Sequence, residues 1–304
     1  MAGWQDFSET RVPVRGGELA VVRWKAREPD SSDVAVPTIM LVHGITGNAL
    51  AWAGVADELA GRAELIAVDL RGRAGSRDIE GPWGIDQNVA DLVTVLDALN
   101  LDQVVLAGHS LGAFIAAAAV AASPERFSRL IAVDGGLGFP LPHGADPDAI
   151  LEAVVGPAVK KLSMTFADPE DYLDFHRVHP AFVGNWTPQL TAYLVRDTHV
   201  LPDGRVVSSC REAAIRADGK QVLLDEKLRT NINGLTRDVD FLYAARGLLN
   251  EPQALFDESR LDLGGLDRTR ARVTFVPDTN HYTILAPGVG AQAVAKALLA
   301  NRVV

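Results

Sequence analysis

The chain has 304 residues, 48% of them hydrophobic and 22% charged, enough apolar material for a substantial core. Lys and Arg total 29 against 39 Asp and Glu, a formal net charge of −10, which argues against nucleic acid or an anionic membrane as a partner. Cys210 is the sole cysteine, so the chain has no internal disulfide and this thiol reads as inert.

The opening segment Met1-Ala2-Gly3-Trp4-Gln5-Asp6-Phe7 has neither a basic stretch nor an apolar run, so no signal peptide is expected and a cytoplasmic location is. Leu19 to Trp24 reads as a strand after the Arg15-Gly16-Gly17 turn. Thr38 to Val42 is a near-continuous apolar strand running into His43-Gly44, and Asn48 to Ala60 has helical spacing in Leu50, Val55 and Leu59. Glu64 to Leu70 is a further strand, followed by Arg71-Gly72-Arg73-Ala74-Gly75-Ser76. Asp86 to Leu99 carries Val89, Leu92, Val93, Leu96 and Leu99 on one face, an amphipathic helix.

Val104 to Ala122 is long and apolar enough to suggest a membrane span. The run is broken by Gly108-His109-Ser110-Leu111-Gly112, and its halves read better as a buried strand and a buried, alanine-rich helix. Leu130 to Val133 is the next strand, closed by Asp134-Gly135-Gly136. This alternation of strands and helices predicts a mostly parallel sheet covered on both faces.

The rhythm then changes. From about Phe139 to Gly234 no convincing buried strand is visible, only helical patches with clustered aromatics and histidines. An insertion of that length is too long for a structureless loop in a compact protein, so residues 138–235 are expected to form a helical cap. The core domain would comprise 1–137 and 236–304, the sheet resuming at Val239 to Ala244 and Ala271 to Val276 before a last helix near Gly290 to Ala300.

G-x-S-x-G between a strand and a helix has the form of a nucleophile elbow, which nominates Ser110. A serine nucleophile needs a base and a group to orient that base. His281 follows the last predicted strand in a polar loop, Asn280-His281-Tyr282, and is the best base. His43 is expected to shape its loop and His109 is the variable elbow residue, while His143, His176, His179 and His199 fall in the cap. His176 and His179 lack a matched carboxylate motif, so neither a metal nor any organic cofactor is expected.

The acid has two candidate strand ends. Asp134 directly follows its strand, with Gly135-Gly136 leaving space for the histidine loop. Beyond Arg246-Gly247 stand Asn250, which cannot carry charge, and Glu251; Asp257 and Asp278 stay open as well. For the oxyanion of a tetrahedral intermediate, the backbone N–H groups of Leu111 and Ile45 are the expected donors.

With these residues together the chain resembles the α/β-hydrolase fold superfamily, through His43-Gly44-Ile45-Thr46-Gly47, Asp69-Leu70-Arg71-Gly72-Arg73-Ala74-Gly75-Ser76, the elbow and Asn280-His281-Tyr282. The resemblance implies a mostly parallel central sheet with helices on both faces and a helical cap inserted between the sixth and seventh core strands. It also implies an acid after the seventh strand, where this chain has Asn250; in some members the acid follows the sixth strand, which Asp134 matches. Serine at the elbow implies an acyl-enzyme rather than the aspartyl-ester chemistry of epoxide hydrolases and haloalkane dehalogenases.

The expected activity is hydrolysis of a carboxylic ester or lactone of moderately bulky, apolar shape, with Trp186, His179 and Tyr193 as candidate substrate contacts from the cap. Hydrolysis of a C–C bond in a β-diketone-like substrate, or a ligand-binding homologue without turnover, are the alternatives. The expected partner is a small molecule, with neither nucleic acid nor membrane; a homo-oligomer is compatible with the sequence, which has no heptad pattern to specify one.

Overall fold

The computed structural model describes residues 3–27, 36–139 and 160–300, with the isolated residues 144, 146, 149, 150 and 156; His143 lies outside the described residues. The strands are β1 (Phe7–Val14), β2 (Gly17–Trp24), β3 (Thr38–Val42), β4 (Glu64–Val68), β5 (Val104–His109), β6 (Phe127–Val133), β7 (Thr198–Val200), β8 (Val206–Ser208), β9 (Asp238–Arg246) and β10 (Ala271–Asn280). Eight of them form one sheet in the order β1-β2-β4-β3-β5-β6-β9-β10, and β7 pairs only with β8. β1, β2 and β4 join antiparallel, and every other pairing in the large sheet is parallel.

The apolar strands are buried on both faces, and their alternation decides which helices they meet. Met40, Val42, Leu106, Leu130 and Phe241 pack into one core with residues of α2 (Ile85–Ala98) and α3 (Leu111–Ala122). Ile39, Leu41, Ala107, Ile131 and Leu242 pack into the other, with residues of α1 (Ala53–Leu59) and the last helix, Val289–Leu299. The apolar run from Val104 to Ala122 divides at Ser110 into β5 and α3, and among the described residues no helix is long and apolar enough to cross a membrane.

Register brings four strand ends to one edge. Val42 stands opposite Gly108, His109 opposite Val133, and Val133 opposite Leu242. His43, Ser110 and Asp134, each one residue past its strand, therefore emerge side by side.

Between β6 and β9 the described residues form α4 (Pro169–Arg177), α5 (Pro188–Arg196), the β7–β8 hairpin, α6 (Glu212–Leu224) and α7 (Glu226–Thr230). Asp168 and Thr187 cap α4 and α5, each accepting a backbone N–H three residues on, and a proline opens each helix where its missing N–H costs nothing. Phe166, Tyr172, Leu173, Leu194 and Val206 make a small core of their own. The hairpin departs from the expectation of no buried strand here: Val206 is fully buried, and its strands are only three residues long.

This insertion is tied to the sheet by buried and half-buried polar contacts. Arg196 meets Asp69 at 2.6 Å, and Arg73 meets Asp218 at 2.6 Å with both side chains fully buried. Ala74 N–H donates to Ser209 Oγ at 2.9 Å, and Asn48 Nδ2 donates to the Tyr193 carbonyl at 2.9 Å. The loop after β4 supplies three of these four contacts.

Candidate active site

Ser110 has φ 54° and ψ −121°, a strained conformation for a residue with a side chain. Close packing holds it there. A Cβ on Gly108 would lie 2.1 Å from the Gly112 carbonyl oxygen, one on Gly112 2.2 Å from the Val42 carbonyl oxygen, and one on Gly135 2.3 Å from the Ser110 carbonyl oxygen. Only glycine fits at these three points, and Ser110 N–H is fixed to the Val133 carbonyl at 3.0 Å. Leu111 opens α3, so its N–H has no acceptor one turn earlier, and the helix N-terminus adds a positive partial charge beside Ser110.

His281 is 3% exposed, and its Nδ1 lies 2.6 Å from Asp134 Oδ2. The other carboxylate oxygen, Oδ1, accepts the Ala244 N–H at 3.0 Å, and Asp134 N–H donates to the Leu242 carbonyl at 2.7 Å. The strand beside β6 thus orients the carboxylate, which orients the imidazole in turn. No competing acid is bonded to the His281 ring among the described residues. Glu251 is exposed and accepts the Leu249 N–H, Asp257 caps the helix Glu258–Leu263, and Asp278 is exposed. Asn250 Oδ1 instead accepts from Asn280 Nδ2 at 3.3 Å, while Asn280 Oδ1 accepts the N–H groups of Tyr282 and Thr283, so an amide pair shapes the histidine loop.

Two further histidines frame this group. His109 Nε2 donates to the His281 carbonyl at 2.8 Å, and its ring packs 4.6 Å from the His281 ring. His43 Nδ1 donates to the Gly44 carbonyl at 2.7 Å, while its Nε2 accepts the Leu70 N–H at 2.9 Å. Burial drives both down to a pKa of about 3, so each is a neutral ring whose tautomer is fixed by its partners. The loop after β3 runs directly against the nucleophile, since a Cβ on Gly44 would lie 3.2 Å from Ser110 Cβ. The Ile45 carbonyl, accepting from Arg73 Nε at 3.1 Å, pins that loop.

Ser110 and His281 open into one cavity of about 470 Å³. Ile45 lines it, as do His179 and Tyr193 from the insertion, together with Phe175, Phe182 and Tyr282. Trp186 does not; it lines an adjoining smaller recess, its indole N–H bonded to Thr191 Oγ1 and its ring 5.2 Å from the Arg177 guanidinium. His176 also lines the cavity, its Nδ1 donating to the Tyr172 carbonyl and its pKa pushed by burial to about 4. Cys210 is buried and its thiol is raised to about 12, consistent with an inert role. Among the described residues no group of three or more His, Cys, Asp or Glu side chains could hold a metal ion.

Sequence reasoning passed over Lys161, which also lines the cavity. A Lys-Lys pair reads as solvated surface, and nothing nearby in sequence marks Asp197 as the buried partner of Lys161.

A family profile described as alpha/beta hydrolase fold matches residues 37–167. The chain is 34% identical over 100 residues to an uncharacterised protein of Mycobacterium tuberculosis, covering 33% of this chain but only 29% of that protein. It is 37% identical over 113 residues to a 2-hydroxymuconate semialdehyde hydrolase from Pseudomonas sp. (strain CF600), covering 36% of this chain and 40% of that one. The chain thus spans well under half the length of these curated relatives. The crystal structure of E-2-(acetamidomethylene)succinate hydrolase superposes with a TM-score of 0.76 at 20% identity, covering 96% of this chain and 97% of that one, a likeness of fold.

Proposed function

We propose that this chain, which has the α/β-hydrolase fold, is a serine hydrolase that cleaves a carboxylic ester or lactone through an acyl-enzyme. The observation that carries this reading is Ser110 on a strained elbow sharing a cavity with His281, whose far nitrogen is bonded to buried Asp134. Asp134 keeps the proton on His281 Nδ1, so Nε2 carries the lone pair that accepts the Ser110 proton. The Ser110 oxygen attacks the carbonyl, and the N–H groups of Ile45 and Leu111 receive the developing oxyanion. His281 returns the proton to the leaving group, then activates a water that releases the acid. This chemistry draws on side chains, two backbone N–H groups and water.

The apolar walls of the cavity support a substrate with a bulky hydrocarbon body. His179 and Tyr193 are the cap residues proposed to touch it, and Trp186, in its own recess, is proposed to act only by supporting α5. A second reading is hydrolysis of a C–C bond in a β-diketone-like substrate, which the same three residues could serve; likeness to the semialdehyde hydrolase favours it. The test is turnover of a panel of p-nitrophenyl esters, aromatic lactones and one β-diketone, with product analysis, alongside labelling by a fluorophosphonate probe. Ester or lactone turnover that disappears in Ser110→Ala supports the first reading, and cleavage of the diketone alone supports the second. A wild-type protein that neither turns over nor labels at Ser110 sinks both and leaves a ligand-binding role.

A further inference from the structure

The cavity contains a cation that the reaction above does not use. Lys161 opens a short 3-10 turn of the insertion, Lys161–Ser163, and lines the cavity that holds Ser110 and His281 although it is only 7% exposed. Its ammonium lies 2.6 Å from Asp197 Oδ2 and 3.4 Å from the Tyr172 hydroxyl. Burial by itself would discharge the amine, but the Asp197 carboxylate overrides it and holds the pKa well above the usual lysine value.

The two charges of this pair are not equivalent. Asp197 does not line the cavity, and its carboxylate is fully occupied from behind. Oδ1 accepts from Ser208 Oγ at 3.0 Å and Ser209 Oγ at 2.9 Å, while Oδ2 accepts from Lys161 and the Tyr172 hydroxyl. The ammonium has three N–H donors, of which these contacts use two. Exposed Lys160 lines the cavity beside it. His176 and His179 line it as well, both held below the ordinary histidine pKa chiefly by burial. Among the described residues of the wall the one carboxylate is Glu251, which is exposed, belongs to the core side and accepts the Leu249 N–H at 2.8 Å. A buried ion pair contributes little net stability against an apolar replacement, so a lysine kept at a cavity wall with its counter-ion behind it calls for a ligand.

We propose that Lys161 anchors a carboxylate carried by the substrate at a distance from the scissile carbonyl, so that the protein acts on amphipathic acids, for example monoesters of dicarboxylic acids. The proposal deepens the serine-hydrolase reading and rests on it. The apolar body lies against Phe175, Phe182 and Leu190, the carboxylate takes the third ammonium N–H, and the carbonyl is held at Ser110.

The test compares mono-4-nitrophenyl glutarate with 4-nitrophenyl pentanoate, acyl chains of equal length with and without the distal charge. Wild type is expected to favour the glutarate by about tenfold or more in kcat/KM, mostly through KM, as a charge-assisted hydrogen bond would give. The ratio should fall to near one in Lys161→Gln and be largely restored in Lys161→Arg. No preference in wild type overturns the proposal, as does a preference retained in Lys161→Gln, which would put the anion at the oxyanion donors instead. Should Lys161→Gln fail to fold, the wild-type ratio still decides against or for an anionic substrate. Calorimetry on Ser110→Ala with the two esters reads the anchor without turnover. Tighter binding of the glutarate there, with neither ester hydrolysed by wild type, would sink the hydrolase reading and leave the anchor standing.

Discussion

The sheet and the insertion that covers it are built by different physics. Around Ser110 the sheet is close-packed apolar structure: strands buried on both faces, and three glycines whose missing side chains let backbones touch. Among the described residues the insertion has a small apolar core and a buried polar cluster of Lys161, Asp197 and Tyr172, and its attachment to the sheet includes the ion pairs of Arg73 with Asp218 and Arg196 with Asp69. One region fixes atoms to within tenths of an ångström and suits the groups proposed for bond cleavage. The other presents varied side chains to the same cavity and suits the choice of what enters.

Substitutions should separate these two contributions. The largest effect is expected at the sheet edge: Ser110→Ala should abolish ester turnover, and Asp134→Asn should lower kcat by about 10³–10⁴-fold, with the fold intact by circular dichroism. An Asp134→Asn enzyme near wild-type rate would remove Asp134 from the reaction and bring Glu251 forward. In the insertion, Asp197→Ala strips the buried Lys161 of its counter-ion and should cost about 3–5 kcal/mol in urea unfolding. A loss below about 1 kcal/mol would mean this internal polar cluster matters far less than its burial implies.

Acid should probe both regions at once. His43 and His109 at the sheet edge, and His176 in the insertion, have folded-state pKa values depressed by burial to about 3, 3 and 4. The unfolded chain binds protons at these sites below its ordinary histidine pKa of about 6.5, whereas the folded chain does not. Their neutral burial therefore favours folding fully above pH 6.5, and that advantage is lost as pH falls toward the folded values. Each should remove up to about 1.4 kcal/mol per pH unit across that window. Thermal melts from pH 7 to 4.5 read the slope, and His176→Phe should flatten it; a melting temperature unchanged over this range would refute the neutral assignment. The smallest effects belong to the cap contacts. His179→Ala should raise KM about threefold to tenfold with kcat little changed, and Trp186→Ala, outside the cavity, should alter KM less than twofold. A larger KM effect for Trp186→Ala would mean that its recess belongs to the substrate site.

The contrast also explains what could be read from sequence. The central strands were legible because burial on both faces leaves an unbroken apolar run, and Thr38–Val42 coincides with β3 to the residue. β1 was missed: in Phe-Ser-Glu-Thr-Arg-Val-Pro-Val only Val12 is buried, as an edge strand paired on one side requires. β7 and β8 are too short for a period of two to register. The elbow that carries Ser110 was legible from local glycine spacing, and Asp134 stood out as a candidate acid from the absence of charge at Asn250. Tyr193 and Trp186 looked equivalent as cap aromatics, but α5 carries one into the cavity while the other precedes it beside a separate recess. Lys161 and Asp197 meet across 36 residues, a separation at which no sequence pattern couples them.

The three glycine contacts at Ser110 also set where this protein can change. A library randomised at Gly108, Gly112 and Gly135 should return almost nothing but the parental residues, because every alternative drives a side chain into a neighbouring backbone. Diversity placed at Met164, Phe175, His179 and Leu190 meets no such wall. New substrate ranges should therefore arise in descendants whose caps have diverged while the elbow stands still.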